Sequence, residues 1–168
     1  MRNLVHAVFA TSLLAGCATS YQSSGLSGGY SETWLAEDAV KVTFNGNGYT
    51  GGERASDFSL LRVAEIAAQR GFSYFVLISE NSAVSTSKTP DNYQITGYGN
   101  SATMTNTGGW IISRPSTTNV AKLLKKKPEN FGGIVYSPSF VCNNIIKKYD
   151  LDASEVSCGT TVRVVPAG

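Results

Sequence analysis

The feature that most narrows the fold of this chain is an abrupt change of apolar period near residue 46. Val40, Val42 and Phe44 alternate with Lys41 and Thr43, the period-two pattern of a strand with one buried face. Gly46-Asn47-Gly48 stops that strand. Thr50 and Glu53 then stand at capping-box spacing and open a helix over residues 51–70, with Gly71 as its stop. Leu60, Leu61, Val63, Ala64, Ala67 and Ala68 form its apolar stripe, and residues 72–79, almost wholly apolar or aromatic, read as a central strand.

Around this unit the remaining segments are short. A strand is expected over 30–35, joined to 40–45 by a turn through Glu37 and Asp38. Residues 82–90 read as a Ser/Thr loop, and 93–98, 102–106 and 110–113 as strands broken by glycines, with Thr107-Gly108-Gly109 as a hairpin turn. Residues 120–126 fit strand or helix, 128–133 a loop, 138–149 a second helix and 160–165 a last alternating strand. With no long repeat, the simplest packing is an α+β domain over 30–168, two helices against a mostly antiparallel sheet.

The N-terminus sets the compartment. Met1-Arg2-Asn3 precedes an apolar stretch from Leu4 to Leu14 that is too short to span a bilayer, and small residues follow. Residues 1–16 therefore read as a signal peptide. Leu14-Ala15-Gly16-Cys17 resembles the bacterial lipobox. That resemblance implies cleavage between Gly16 and Cys17, a diacylglyceryl group on the Cys17 sulfur and a fatty acyl group such as palmitate on the new amine. Each buried CH₂ contributes about 0.8 kcal/mol, so two or three chains on Cys17 make a lasting anchor. Lipoprotein sorting retains an aspartate at the next position in the inner membrane. Here Ala18 follows, which implies the periplasm-facing leaflet of the outer membrane. The Ser, Gly, Thr and Gln of residues 17–29 read as a flexible lipidated linker with a reach of roughly 20 Å.

Removing the signal removes His6, the only histidine. Ser-His-Asp and Cys-His catalysis and every histidine-bearing metal site leave with it. Loss of Arg2 leaves 13 basic against 12 acidic side chains, a net charge of +1 that asks for no nucleic-acid partner. With Cys17 consumed by lipid, Cys142 and Cys158 form the single intrachain pair available in an oxidising compartment. The bridge would close a loop worth about 3 kcal/mol.

Further motifs resemble those of a family of small bacterial lipoproteins named after two Caulobacter reading frames: Cys17-Ala18-Thr19-x-Tyr21, Gly29-Tyr30-Ser31-Glu32-Thr33, Phe44-x-Gly46-Asn47-Gly48-Tyr49-Thr50, and Arg62-x-Ala64-Glu65 before Gly71-Phe72-x-Tyr74-Phe75. The resemblance covers residues 17–78. It implies a lipoprotein with a strand-helix-strand core, and it supplies no catalytic residue.

Several constellations invite chemistry and have plainer readings. Gly46-x-Gly48-x-x-Gly51 with Glu80 imitates a dinucleotide fingerprint, but Glu80 lies too far along and the first strand is half exposed, so the glycines read as a tight turn. Ser85-x-x-Lys88 and Lys88-Thr89 echo penicillin-binding enzymes, in which the serine starts a buried helix; here both fall in a loop ending at Pro90. Asp150-x-Asp152-x-Ser154 begins like a calcium loop but has Glu155 and Thr161 where glycine and glutamate are needed. Arg62 and Glu65, three apart on the main helix, read as a structural ion pair. Lys125-Lys126-Lys127 with Lys147-Lys148 could lie against anionic headgroups or acidic glycans, but such charge runs read more plainly as solvated faces, and Tyr30, Trp34, Tyr49, Tyr74, Tyr98 and Trp110 are assigned mostly to the core.

The sequence thus leads to a non-enzymatic, lipid-anchored envelope protein without cofactor or metal. Its expected partners are the membrane, through the anchor, and an envelope protein or glycan. The competing class is an enzyme acting on peptidoglycan or glycan through two carboxylates about 5 to 9 Å apart.

Overall fold

The alternation at residues 40–45 and the stripe on the following helix meet face to face. A computed structural model of the chain describes residues 18–98 and 101–158. Strands β1 (Gly29–Ala36) and β2 (Ala39–Asn45) form a hairpin, α1 (Gly52–Gln69) follows, and β3 (Tyr74–Lys88) leads through the small hairpin β4 (Tyr93–Tyr98) and β5 (Ser101–Asn106) into β6 (Ile111–Leu124), before α2 (Pro138–Tyr149). The main sheet is antiparallel throughout, in the order β1-β2-β6-β3. The fold is α+β: among the described residues α1 packs on this sheet and α2 packs on α1, with β4-β5 as a separate two-stranded sheet.

Val40, Val42 and Phe44 are fully buried, opposite Ala121, Asn119 and Thr117 of β6. Phe58, Leu61, Ala64 and Ala67 of α1 join them in one core. Phe44 and Phe58 meet edge to face at 5.2 Å, the arrangement that ring quadrupoles favour. The stripe read from the sequence is phased correctly at Leu61, Val63, Ala64 and Ala67, which are all fully buried. Yet Ala55, Phe58 and Ile66 are buried too, because α1 lies between the sheet on one side and α2 on the other.

Several expectations change. Residues 72–79 are not a central strand: among the described residues β3 lies at the sheet edge, since β6 inserts between it and β2, and its outer side meets the chain again only at an isolated bridge from Phe75 to Tyr136. Residues 82–90 are not a loop, because β3 runs on to Lys88 in register with β6 down to Ile111. The ambiguous residues 120–124 are strand. From Arg114 of β6 outward, past the end of β2, the ribbon is exposed on both faces apart from the half-buried Ile112. Such a segment carries no alternation to reveal it. A bulge at Ile78 re-phases β3 where it leaves the core.

Thr50 and Glu53 form no capping box. The N-cap of α1 is Gly51, without a side-chain hydrogen bond, because the Thr50 hydroxyl is engaged elsewhere. The strand expected at 160–165 lies outside the described residues.

Candidate functional site

Gly28 and Gly29 take φ values of 98° and 125°, open to glycine at little cost. A Cβ on Gly28 would meet the Asn45 carbonyl oxygen at 2.2 Å. The turn they make folds residues 18–27 back along β1, with the Tyr30 amide donating to the Gln22 carbonyl at 2.8 Å and the Ser24 amide to the Tyr30 carbonyl at 2.7 Å. Thr19 is the hub of this return. Its amide donates to Thr50 Oγ1 at 3.0 Å, its hydroxyl donates to the Ser27 carbonyl at 2.7 Å, and the same oxygen accepts from the Asn47 amide at 2.9 Å. Thr19 is 1% exposed.

The flexible linker expected over 17–29 is therefore corrected for residues 18–29, which are seated on the domain. Composition averages over a segment, whereas seating depends on single groups: a hydroxyl at 19, a ring at 21 and two positive-φ glycines. Gly16 and Cys17, the expected cleavage and lipidation residues, lie outside the described residues.

Two residues past Thr19, Tyr21 packs its ring against Tyr30 at 5.1 Å and Phe58 at 5.4 Å. Its hydroxyl donates to Glu65 Oε2. Glu65 is 2% exposed and also accepts from Arg62 Nη1 at 2.9 Å and from the Ser157 amide at 2.7 Å. Arg62 Nε in turn donates to Glu32 at 2.8 Å, with its guanidinium 4.4 Å over the Tyr30 ring. Burial, reinforced by the neighbouring Glu65 carboxylate, pushes the Tyr21 phenol far above its ordinary value. The hydrogen bonds to Glu32 and Glu65 outweigh burial and raise Arg62.

The Arg62–Glu65 ion pair expected from their spacing is present. What spacing could not reveal is that Glu65 joins three stretches of chain: residues 18–23, α1 and residues 153–158. Its oxygens are aimed at three protein donors, so it serves as a fastening rather than an acid or base toward a substrate. In the sequence Tyr21 stands out for this role only as a solitary tyrosine in a Ser/Gly stretch, and nothing local marks Glu32 or Ser157.

Cys142, buried on α2, and Cys158 stand within disulfide distance, with Cα atoms 6.2 Å apart. Their proximity draws residues 153–158 across α2 toward Glu65. Asp150 ends α2 in the left-handed region, and Asp152 accepts from the Ser154 amide and hydroxyl at 2.8 and 2.7 Å, a turn within the chain. Among the described residues no group of three or more metal-ligating side chains converges.

The other motif residues are dispersed. A Cβ on Gly46 would meet the Thr50 side chain at 2.7 Å, and one on Gly48 would meet Ile112 at 2.7 Å, so these glycines serve close packing. Ser85 lies on an extended strand, and Lys88 is paired with Asp91 at 2.8 Å. Lys148 bridges Glu53 and Asp57. These are the closest carboxylates on α1, one turn apart on the same helix, with an ammonium between them. Lys125–Lys127 follow β6 at the end of the sheet remote from Thr19. Tyr30 and Trp34 are half buried, with Arg70 stacked 4.3 Å over the Trp34 ring, while Tyr49 and Trp110 are exposed rather than in the core.

Among the described residues, two of the concavities have mainly apolar walls. One, of about 590 Å³, lies beside α2 and is lined by Leu60, Ile134, Tyr136, Phe140 and Val141. The other, of about 610 Å³, is lined by Leu26, Tyr49, Trp110, Ile111 and Arg114, next to the residues that hold Thr19. No described helix is long and apolar enough to cross a membrane. Comparison with protein-family models, curated proteins and solved structures finds no match.

Proposed function

We propose that the protein is a lipid-anchored lipoprotein of the bacterial envelope, held by Cys17 to the periplasm-facing leaflet of the outer membrane, with a binding or structural role and no chemistry of its own. It would belong with the small lipoproteins whose motifs it resembles. One observation carries this reading: Thr19, the third residue past the expected cleavage point, is held by three hydrogen bonds. A chain trimmed at Cys17 keeps every one of them. Its new terminus would emerge at a defined point on the domain surface, where an anchor can act on the whole fold.

The carboxylates favour binding over catalysis. Glu65 is surrounded by donors, and Glu53 and Asp57 share Lys148. Glycan hydrolysis needs two carboxyl groups facing one bond from opposite sides, and these groups do not face one another across a groove. Closure of the pair Cys142 and Cys158 as a disulfide belongs to the same reading, since the periplasm is oxidising.

The test is metabolic labelling with a palmitate analogue, followed by membrane fractionation. Native protein takes up label and sediments with the outer membrane. Cys17→Ser should do neither; labelling of that variant would overturn the proposal.

A further inference from the structure

If the chains are rooted at Cys17, the part of the domain that meets the membrane is decided by where Thr19 is seated. Two residues span at most about 7 Å between Cα atoms, and Thr19 is bonded to Ser27 and to Asn47. The neighbours of those two residues, Leu26 on one side and Gly48 and Tyr49 on the other, are the walls of the 610 Å³ concavity that Trp110 and Ile111 complete. Leu26, Tyr49, Trp110 and Ile111 are all exposed, Trp110 to 78%. Exposed apolar side chains gathered in one place mark a surface meant to be covered.

The chemistry of this surface suits a lipid interface. Trp and Tyr combine an apolar ring with a polar edge and favour the headgroup level of a bilayer. Arg114, on the same concavity, suits the phosphates there. Beyond it the ribbon passes through Thr89 and Trp110, joined by a 2.9 Å hydrogen bond, into the β4-β5 hairpin. Residues 92–113 carry no charged side chain, and Lys88 and Asp91, just before them, neutralise each other. On the hairpin Ile95 is opposite Met104 and so shares its face, while Gln94, Thr96, Thr103 and Thr105 occupy the other. Bringing this region to a membrane desolvates no unpaired charge. The lysines at 125–127 are at the wrong end: β2 alone separates its Asn45 end, beside Thr19, from its Ala39 end by about 20 Å.

We propose that Leu26, Tyr49, Trp110 and Ile111 form a membrane-docking face that enters the headgroup region of the bilayer holding the anchor. The domain then lies on the lipid surface with the β4-β5 arm along or into the interface, rather than hanging from a tether. This rests on the anchor at Cys17, and the experiment separates the two.

Native lipidated protein is reconstituted in vesicles of phosphatidylethanolamine and phosphatidylglycerol, with and without bromine on the acyl chains. Flotation and tryptophan emission are then measured. The chain has two tryptophans, and Trp34 lies on β1 toward the other end of the sheet, under Arg70. Trp34→Phe should float, shift its emission to the blue and lose most of it to brominated lipid, whereas Trp110→Phe should float and lose little. Should Trp34→Phe fail to fold, native protein compared with Trp110→Phe yields the same quantity. Flotation with Trp110 unquenched by bromine but quenched by aqueous acrylamide overturns the docking face and leaves the anchor standing. Flotation with Trp110 shielded from both makes the face a protein interface, which also overturns it. Failure to float removes the anchor, and this proposal with it.

Discussion

The phenol of Tyr21 donates to the buried carboxylate of Glu65, 44 residues further along the chain. Through this contact the segment that follows the expected cleavage point becomes part of the core. It makes the seating of residues 18–29 measurable as stability.

Tyr21→Phe keeps the ring against Tyr30 and Phe58 but removes the donor, and should cost about 1 to 3 kcal/mol, as for a hydrogen bond to a charged group. Glu65→Ala, which leaves the Ser157 amide without its acceptor and Arg62 with Glu32 alone, should cost more, about 3 to 5 kcal/mol. The double variant should be less destabilised than the sum of the two. Urea denaturation of all four proteins measures the coupling; strict additivity would mean that the contact contributes nothing.

Alkali should act through the same phenol. Tyr21 is raised far above its ordinary value of 10.0, first by burial and then by Glu65. Tyr149 is pushed up to about 12, first by burial and then by its hydrogen bond to Asp57. A folded value above the unfolded one means that the folded state holds its proton longer. The contribution is therefore complete below about pH 10 and is lost as pH rises through the folded values. Stability should fall from about pH 10 upward, and Tyr21→Phe should flatten that fall. Tyrosinate absorbance followed alongside circular dichroism checks it, since Tyr21 should ionise only as the fold is lost.

Thr50 separates two roles for one side chain. A capping role would make Thr50→Ala fray the start of α1. The observed bonds to Thr19 and Asn47 make it release the N-terminal segment instead, at about 1 to 2 kcal/mol. Amide exchange should accelerate at Thr19 and Tyr30 more than at Arg54 and Ala55.

Cys142 and Cys158 should appear as one linked peptide in non-reducing mass spectrometry of protein isolated from the envelope. Cys158→Ser should cost about 3 kcal/mol, by the loop-entropy relation for a span of this length. Because residues 153–158 also carry the Ser157 amide to Glu65, reduction should weaken the Tyr21 coupling as well. Free thiols at both positions would refute the bridge.

Local chemistry made much of the fold legible. β2 and α1 stand out because each buries one face, so their apolar residues recur at the period of the backbone. The hairpin turn expected at Thr107-Gly108-Gly109 is not one: β4 pairs with β5, and residues 107–109 lead from β5 to β6 in the other sheet. The short strands at 93–98 and 101–106 are nonetheless marked by their flanking glycines and the helix at 138–149 by Pro138. The outer half of β3 is not, because a ribbon wet on both faces needs no pattern. Nor is the edge position of β3, which depends on where the distant β6 inserts.

The chain by itself determined the alternation of β2 and the phase of its main helix, both of which depend on residue identities and on neighbours a few positions apart. Tertiary structure alone decided that Thr19 and Tyr21 are seated rather than free, that Glu65 is a three-way fastening, and that Leu26, Tyr49 and Trp110 share one surface. Those outcomes join groups dozens of residues apart. A hydroxyl, a carboxylate or a ring carries no mark of its distant partner until folding removes the water between them.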